Sequence, residues 1–169
     1  AAKLNDRGYV LSSANSINWG RLAPQIVYYV SAYCDLLNNG VIKLGESMDV
    51  CVPTGNFGNI FAGYIAKLMG LPIRHFVCAS NQNNILTDFL RTGTYDRNRA
   101  FHLTMSPSMD ILISSNLERL LYFTLGAEKC AALMKDLNEK NENIYSSWFT
   151  HMFANFAINT VGFILFGII

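Results

Sequence analysis

The sequence predicts an α/β protein in which parallel strands are joined by crossover helices, and three observations carry that reading. Two short apolar runs, at 48–52 and 73–79, have the length and composition of buried strands; Gly45 and Pro53 bound the first, and Pro72 precedes the second. A stretch of helical spacing comes before the first run, and a second stretch, rich in small residues, lies between the two. The turn that leaves the first run is rich in glycine. Helix, strand, Gly-rich turn, helix and strand in that order is the rhythm of a parallel sheet.

Each element follows from local sequence. Asn15, Ser16 and Asn18 offer N-cap oxygens to a helix expected over residues 19–37, where Leu22, Ile26, Tyr29, Val30 and Tyr33 recur at helical spacing. Asn38, Asn39 and Gly40 end it. After the strand at 48–52, residues 53–59 form a turn and residues 60–69 a helix closed by Gly70. The second strand leads into a polar stretch, Ser80-Asn81-Gln82-Asn83-Asn84, and a short helix over 85–90. Residues 92–99 read as a polar connection. Ser106-Pro107-Ser108-Met109-Asp110 reads as the cap of a helical stretch that runs through Leu125, with Leu117, Leu120 and Leu121 on one side. Residues 128–140 look like a further surface helix.

A chain of 169 residues is long enough for one domain with its own core. About half of it is apolar, 15% is charged, and the formal net charge is +1. That balance has neither the basic excess of a nucleic-acid binder nor an acidic tail. The four cysteines, Cys34, Cys51, Cys78 and Cys130, form no C-x-x-C pair, and three sit in apolar runs. Buried free thiols are the expectation, which suits a reducing, intracellular compartment, cytoplasmic or mitochondrial.

The most informative segment is Pro53-Thr54-Gly55-Asn56-Phe57-Gly58-Asn59. A strand that stops at Pro53 and re-enters a helix through this turn leaves a row of backbone N–H groups converging on one point. The glycines let a ligand approach the backbone, and the helix start adds about half a unit of positive charge. Thr54, Asn56 and Asn59 add side-chain donors. The natural occupant of such a cradle is a phosphate ester. No Gly-Lys-Ser/Thr follows, so the turn is not a mononucleotide P-loop, and it lacks the G-x-G-x-x-G of dinucleotide folds. The turn alone is equally compatible with a connection that binds nothing.

Four blocks in order resemble the threonine-synthase family, and more closely its threonine-synthase-like members in animals. They are Ala14-Asn15-Ser16-Ile17-Asn18-Trp19-Gly20-Arg21; Val52-Pro53-Thr54-Gly55-Asn56-Phe57-Gly58-Asn59; Leu86-Thr87-Asp88-Phe89 with Thr92-Gly93; and Ser106-Pro107-Ser108-Met109-Asp110-Ile111 followed by Ser115-Asn116-Leu117-Glu118-Arg119. The resemblance covers residues 1 to 137. It implies part of a fold type II pyridoxal-phosphate enzyme, with the cofactor held between two α/β units. It also implies that Thr54, Gly55, Asn56, Phe57, Gly58 and Asn59 hold the cofactor phosphate. Asn15, Ser16, Asn18 and Arg21 are weaker candidates for substrate binding. Plain helix capping is an equal reading for Asn15 and Ser16, and a surface ion pair is one for Arg21.

The departures from the family matter as much. Its Schiff-base lysine belongs to a short motif in which Lys is followed by Asp, and it lies upstream. Of the six lysines here only Lys135 precedes an Asp, within the late surface helix, so no catalytic residue is assigned. His75, His102 and His151 form no triad and no metal-ligand spacing with the carboxylates. The family resemblance fades near residue 138. A partial cofactor-binding domain over residues 1–140 and a divergent apolar tail over 141–169 are therefore expected. Residues 148–169 carry no Asp, Glu, Lys or Arg, a length that spans a bilayer, but the asparagines and glycines within them make membrane contact the less favoured reading.

Two functions follow as expectations. The first is a fragment of a pyridoxal-phosphate carbon–oxygen lyase acting on O-phosphohomoserine or a related phospho-amino acid, with loss of phosphate to give threonine or an α-keto acid. The second is a non-catalytic truncated or splice product with a binding or signalling role.

Overall fold

Asp49 bonds two residues of the neighbouring strand beside an irregularity in the sheet. In the computed structural model, which describes Gly8, residues 17–139 and residues 144–145, strand β1 (Met48–Pro53) pairs in parallel with β2 (Ile73–Ala79). Val50 lies opposite Phe76 and Val52 opposite Cys78, but Met48 lies opposite Ile73, so β2 carries one extra residue near the start of the ladder. That bulge lets Ile73 and Phe76, three apart, face the same buried side. Asp49 fills the irregularity: its Oδ1 accepts from the His75 backbone N–H at 3.1 Å and meets the His75 ring Nδ1 at 2.9 Å. Arg74 donates to both Asp49 oxygens, through Nε at 3.0 Å and Nη2 at 2.6 Å.

The expected strand–helix–strand unit is present. Helix α1 (Trp19–Leu22) and helix α2 (Ile26–Asn38) precede β1, and helix α3 (Gly58–Leu68) crosses from β1 to β2. The first helix is not continuous as the spacing suggested. Residues Ala23–Gln25 form a 3-10 turn, because Pro24 supplies no N–H. Helix α2 turns Tyr29 and Tyr33 inward and packs on α3. The core gathers Leu22, Tyr29, Phe61, Phe76, Ile85, Phe89, Leu120 and Leu121. Its rings meet edge to face: Tyr29 on Phe76 at 6.4 Å, Phe61 on Phe123 at 5.5 Å, Phe89 on Tyr95 at 5.4 Å.

Beyond β2 the chain forms helix α4 (Ile85–Thr92), closed by Gly93 at φ 74°, a left-handed cap that suits glycine. The polar connection expected at 92–99 contains strand β3 (Thr94–Tyr95), which pairs antiparallel with β4 (Ile144–Tyr145). The helix expected to follow the Ser106–Asp110 cap does not begin there. Pro107–Met109 make a single 3-10 turn, and helix α5 (Leu117–Leu125) starts at the leucine cluster, followed by α6 (Ala127–Glu139). Residues 110–116 are drawn off by side-chain bonds described below. No helix among the described residues is long and apolar enough to cross a membrane. The expected boundary at 140, and the tail apart from Ile144–Tyr145, lie outside the described residues.

The cysteine expectation needs correction. All four are free, but Cys34 and Cys51 are exposed, and only Cys78 and Cys130 are buried. Cys51 sits on the outward face of β1, where alternation places it with Asp49 and away from Val52. Burial pushes the Cys78 thiol up to about 11. Iodoacetamide applied to the native chain near neutral pH should label Cys34 and Cys51 and spare Cys78 and Cys130. Peptide mapping reads the outcome, and rapid labelling of Cys78 in folded protein would contradict the packing.

One substitution tests the helix–sheet contact. A Cβ added at Gly63 would lie 2.6 Å from the Tyr29 ring and 2.7 Å from that of Phe76, so the α3 backbone needs glycine there. Gly63→Ala should destabilise the chain by about 1–3 kcal/mol, the usual cost of overpacking a filled core. A denaturant midpoint unchanged from wild type would contradict this.

Candidate functional site

The described buried polar side chains are not scattered. They are Thr54, Asn83, Thr87, Ser114 and Asn116; Thr54 belongs to the Gly-rich turn after β1, Ser114 and Asn116 bond to it, and Asn83 bonds to Asp110 behind them. None of the buried side-chain polar atoms among the described residues lacks a partner. A polar cluster satisfied this completely marks the part of the fold whose geometry is most closely specified.

The turn is built from both ends. The Thr54 N–H donates to Ala79 O at 2.7 Å, continuing the sheet one residue past the strand. The Thr54 hydroxyl donates to Val52 O at 2.7 Å. That corrects one expectation: the Thr54 hydroxyl proton is used within the strand end rather than offered to a ligand. Phe57 has φ 63°, a left-handed conformation seen at no other described non-glycine residue, and its ring is buried in the core. Such a backbone costs roughly 1–2 kcal/mol, and persists because the buried ring holds it. From there the chain enters α3, eleven residues long, at Gly58.

None of the described residues accepts a hydrogen bond from the backbone N–H of Gly55, Asn56, Phe57, Gly58 or Asn59. Gly55, Phe57 and Gly58 are buried. Buried N–H groups are nearly always paired; these three, flanked by the half-buried Asn56 and the exposed Asn59 at the positive end of a helix, have the donor arrangement that an anionic acceptor requires. The two asparagines of the turn keep their oxygens on the protein side. Asn59 Oδ1 accepts from the Tyr29 hydroxyl at 2.6 Å, and Asn56 Oδ1 lies 3.5 Å from Ser115 Oγ. Their Nδ2 groups remain as donors. Burial raises the Tyr29 phenol far above its ordinary range, so it stays a donor at every physiological pH.

A wall of later residues closes the other side. Ser114 Oγ donates to Gly55 O at 2.6 Å, and Asn116 donates to Asn56 O through its backbone N at 3.1 Å and its Nδ2 at 3.0 Å. Tyr95 OH accepts from the Ser114 N–H at 2.9 Å and donates to Leu112 O at 3.1 Å. Arg119 donates through Nε to Asn116 Oδ1 at 2.9 Å, donates to Ile17 O, and lies over the Trp19 ring. A Cβ at Gly55 would come within 3.1 Å of Ile111 Cδ1 and 3.5 Å of the Met109 backbone, so the wall touches the turn at that glycine. Asp110 pins the wall from behind. Its Oδ2 accepts from the Thr104 N–H at 2.8 Å, and its Oδ1 from Thr104 Oγ1 at 2.7 Å, Asn81 Nδ2 at 2.7 Å and Asn83 Nδ2 at 3.2 Å.

The remaining candidates are placed as follows. Asn18 caps α1, its Oδ1 accepting from Gly20 N at 2.9 Å. Arg21 is exposed on α1 and pairs with no carboxylate among the described residues, so the ion pair weighed for it is not formed there. Asn15 and Ser16 lie outside the described residues. Lys135 is exposed on α6. His75 is taken up by Asp49, and no cluster of metal-ligating side chains occurs among the described residues. Ser114, Asn116, Tyr29 and Asp110 were missed as site residues. Asp110 and Asn116 fall within the two blocks Ser106–Ile111 and Ser115–Arg119 that resemble the family, and that order is the signal the sequence offers for them.

No family model matches the chain. Comparison with curated proteins finds human threonine synthase-like 1, 60% identical over 137 residues, 80% of this chain and 18% of that protein. Threonine synthase of Saccharomyces cerevisiae is 43% identical over 145 residues, 86% of this chain and 27% of the enzyme. Among solved structures, PLP-bound threonine synthase from Brucella melitensis superposes with a TM-score of 0.77 at 42% identity, covering 90% of this chain and 32% of that one. The yeast threonine synthase structure also gives a TM-score of 0.77, at 35% identity over 87% of this chain and 30% of its own length. The chain thus spans about a fifth of the threonine synthase-like 1 length and under a third of the two threonine synthases.

The wall has a measurable acid limit. The Thr104 backbone N–H, then the Thr104, Asn81 and Asn83 side chains, hold the Asp110 carboxyl below its usual range. A depressed carboxyl contributes stability above its ordinary pKa and loses it as pH falls through the folded value. The Thr104 amide resonance should therefore titrate with a midpoint below that of a free aspartate, and Asp110→Ala should abolish the transition. A midpoint at the ordinary value would show that the network does not hold in solution.

Proposed function

Since this chain belongs to the threonine-synthase family, we propose that it is the phosphate-holding part of a pyridoxal-phosphate enzyme of fold type II. The observation that carries the reading is the row of N–H groups from 55 to 59, which meets no acceptor among the described residues and sits at the start of α3. Those five N–H groups, with the Asn56 and Asn59 amides, would hold the cofactor's phosphate. Thr54 contributes by anchoring the strand end, and Phe57 by turning the backbone. Pyridoxal phosphate, when bound, supplies an electron sink beside the α-carbon of an amino acid. The residues of this chain bind and orient; no proton-transfer role falls to them, and the Schiff-base lysine is assigned elsewhere in the parent protein.

For the parent enzyme the reading extends to a phosphorylated amino acid, O-phosphohomoserine or a close relative. The substrate would lose its phosphate and then take up water, either at a side-chain carbon to give threonine or at the imine carbon to leave as an α-keto acid with ammonia. The support for this is family membership and a cofactor site whose cradle suits a phosphate ester.

The test is selectivity for the phosphate. Several charge-assisted hydrogen bonds are worth about 1.5–3 kcal/mol each, and association costs consume much of that. Binding near millimolar, about 4 kcal/mol, is expected for the chain alone. Pyridoxal phosphate added to the ¹⁵N-labelled chain should shift the backbone amides of residues 55–59, and pyridoxal without phosphate should not. Gly55→Val, which drives a branched side chain into Ile111 and the Met109 backbone, should weaken the response by at least about tenfold. Equal shifts with both ligands, or none in a folded sample, would reject the phosphate cradle.

A further inference from the structure

We infer that Ser114 and Asn116 are positioning residues that aim the cradle, each through one peptide plane; this rests on the reading of residues 55–59 as a phosphate site. In a trans peptide the carbonyl of one residue and the N–H of the next point in opposite directions within a single rigid plane. No cis peptide occurs among the described residues. Ser114 Oγ grips Gly55 O at 2.6 Å, so the Asn56 N–H is turned directly away from the 112–116 wall. Asn116 grips Asn56 O twice, at 3.1 and 3.0 Å, so the Phe57 N–H is turned away in the same manner. Two successive N–H vectors are thereby set from behind by groups that never meet the anion.

The alternatives to this orientation are open to the chain. Glycine at 55 leaves the plane between 55 and 56 free to rotate, and Phe57 already occupies a strained left-handed state that a rotated neighbour would release. The wall is itself fixed by buried groups: Ser114 by the Tyr95 hydroxyl, Asn116 by Arg119. Ser114 and Asn116 are both buried, so their donors have no competing water. A helix start supplies donors; these two residues supply direction.

The experiment is a phosphate titration of the whole chain and two variants, read at the individual amides. In wild type, inorganic phosphate should move all five amides from 55 to 59. Ser114→Ala should remove the response chiefly at Asn56, and Asn116→Asp, which keeps the acceptor for Arg119, should remove it chiefly at Phe57. Apparent affinity should fall about tenfold in each, as expected for one misdirected charge-assisted bond. A purely structural effect would reduce all five responses in parallel with the folded fraction, which the denaturation midpoint measures separately. If Ser114→Ala fails to fold, Ser114→Cys, with its weak donor, takes its place and should show a smaller loss at Asn56. A wild-type chain that ignores phosphate would overturn the cradle and this inference with it. Full wild-type affinity in both variants, or a uniform loss across the five amides, would overturn the positioning role alone.

Discussion

Asn116 is the residue on which the other parts of the structure depend. It is fully buried, and its two amide functions reach different parts of the chain: Nδ2 and the backbone N–H hold Asn56 O, while Oδ1 receives Arg119. Arg119 extends the link to Ile17 and Trp19. Asn116 thus joins segments sixty residues apart, and through Arg119 the link reaches a segment about a hundred residues away. Leaving a buried polar atom unpaired costs about 1–3 kcal/mol, so the arrangement is stable only when all its partners arrive together. That interdependence turns a flexible Gly-rich turn into a defined surface.

The apolar packing beneath provides the rigidity that this polar joint needs. Gly63 opens a slot in α3 into which the Tyr29 ring fits, and from that slot the hydroxyl reaches Asn59 at the first turn of the same helix. Phe57 turns left-handed against its own preference, and its buried ring offsets the strain, since burying a phenyl side chain contributes about 1.5–3 kcal/mol. The Phe89–Tyr95 contact carries the core outward to the Ser114 wall. The Asn59 and Ser114 contacts thus each stand on a specific aromatic one.

Surface charge plays a smaller part. The Arg74–Asp49 pair is bidentate but exposed, and such pairs contribute little to stability. Asp49 also accepts from the backbone at the bulge, beside the register shift after which Phe76 lies against Tyr29. Asp110 works similarly, as a carboxylate whose neighbours shape a loop rather than as a titrating group of the site.

The sequence by itself determined the strand–turn–helix–strand unit, the Gly-rich turn and the family. Those depend on local periodicity, on chain reversal at Pro and Gly, and on residue order, all of which are written in contiguous segments. It did not disclose that Thr54 turns its hydroxyl inward, that residues 110–116 leave the helix expected of them, or that Cys34 and Cys51 face outward. Each of these is settled by partners far away in the chain. Asp110 is claimed by Thr104, Asn81 and Asn83, and Ser114 and Asn116 by carbonyls about sixty residues earlier. The helix expected after the Ser106–Asp110 cap yields to those bonds because a buried carbonyl must be paired, and helix propensity amounts to only tenths of a kcal/mol per residue. Tertiary structure alone decided which side of the turn faces the wall, and with it the direction in which the turn's N–H groups point.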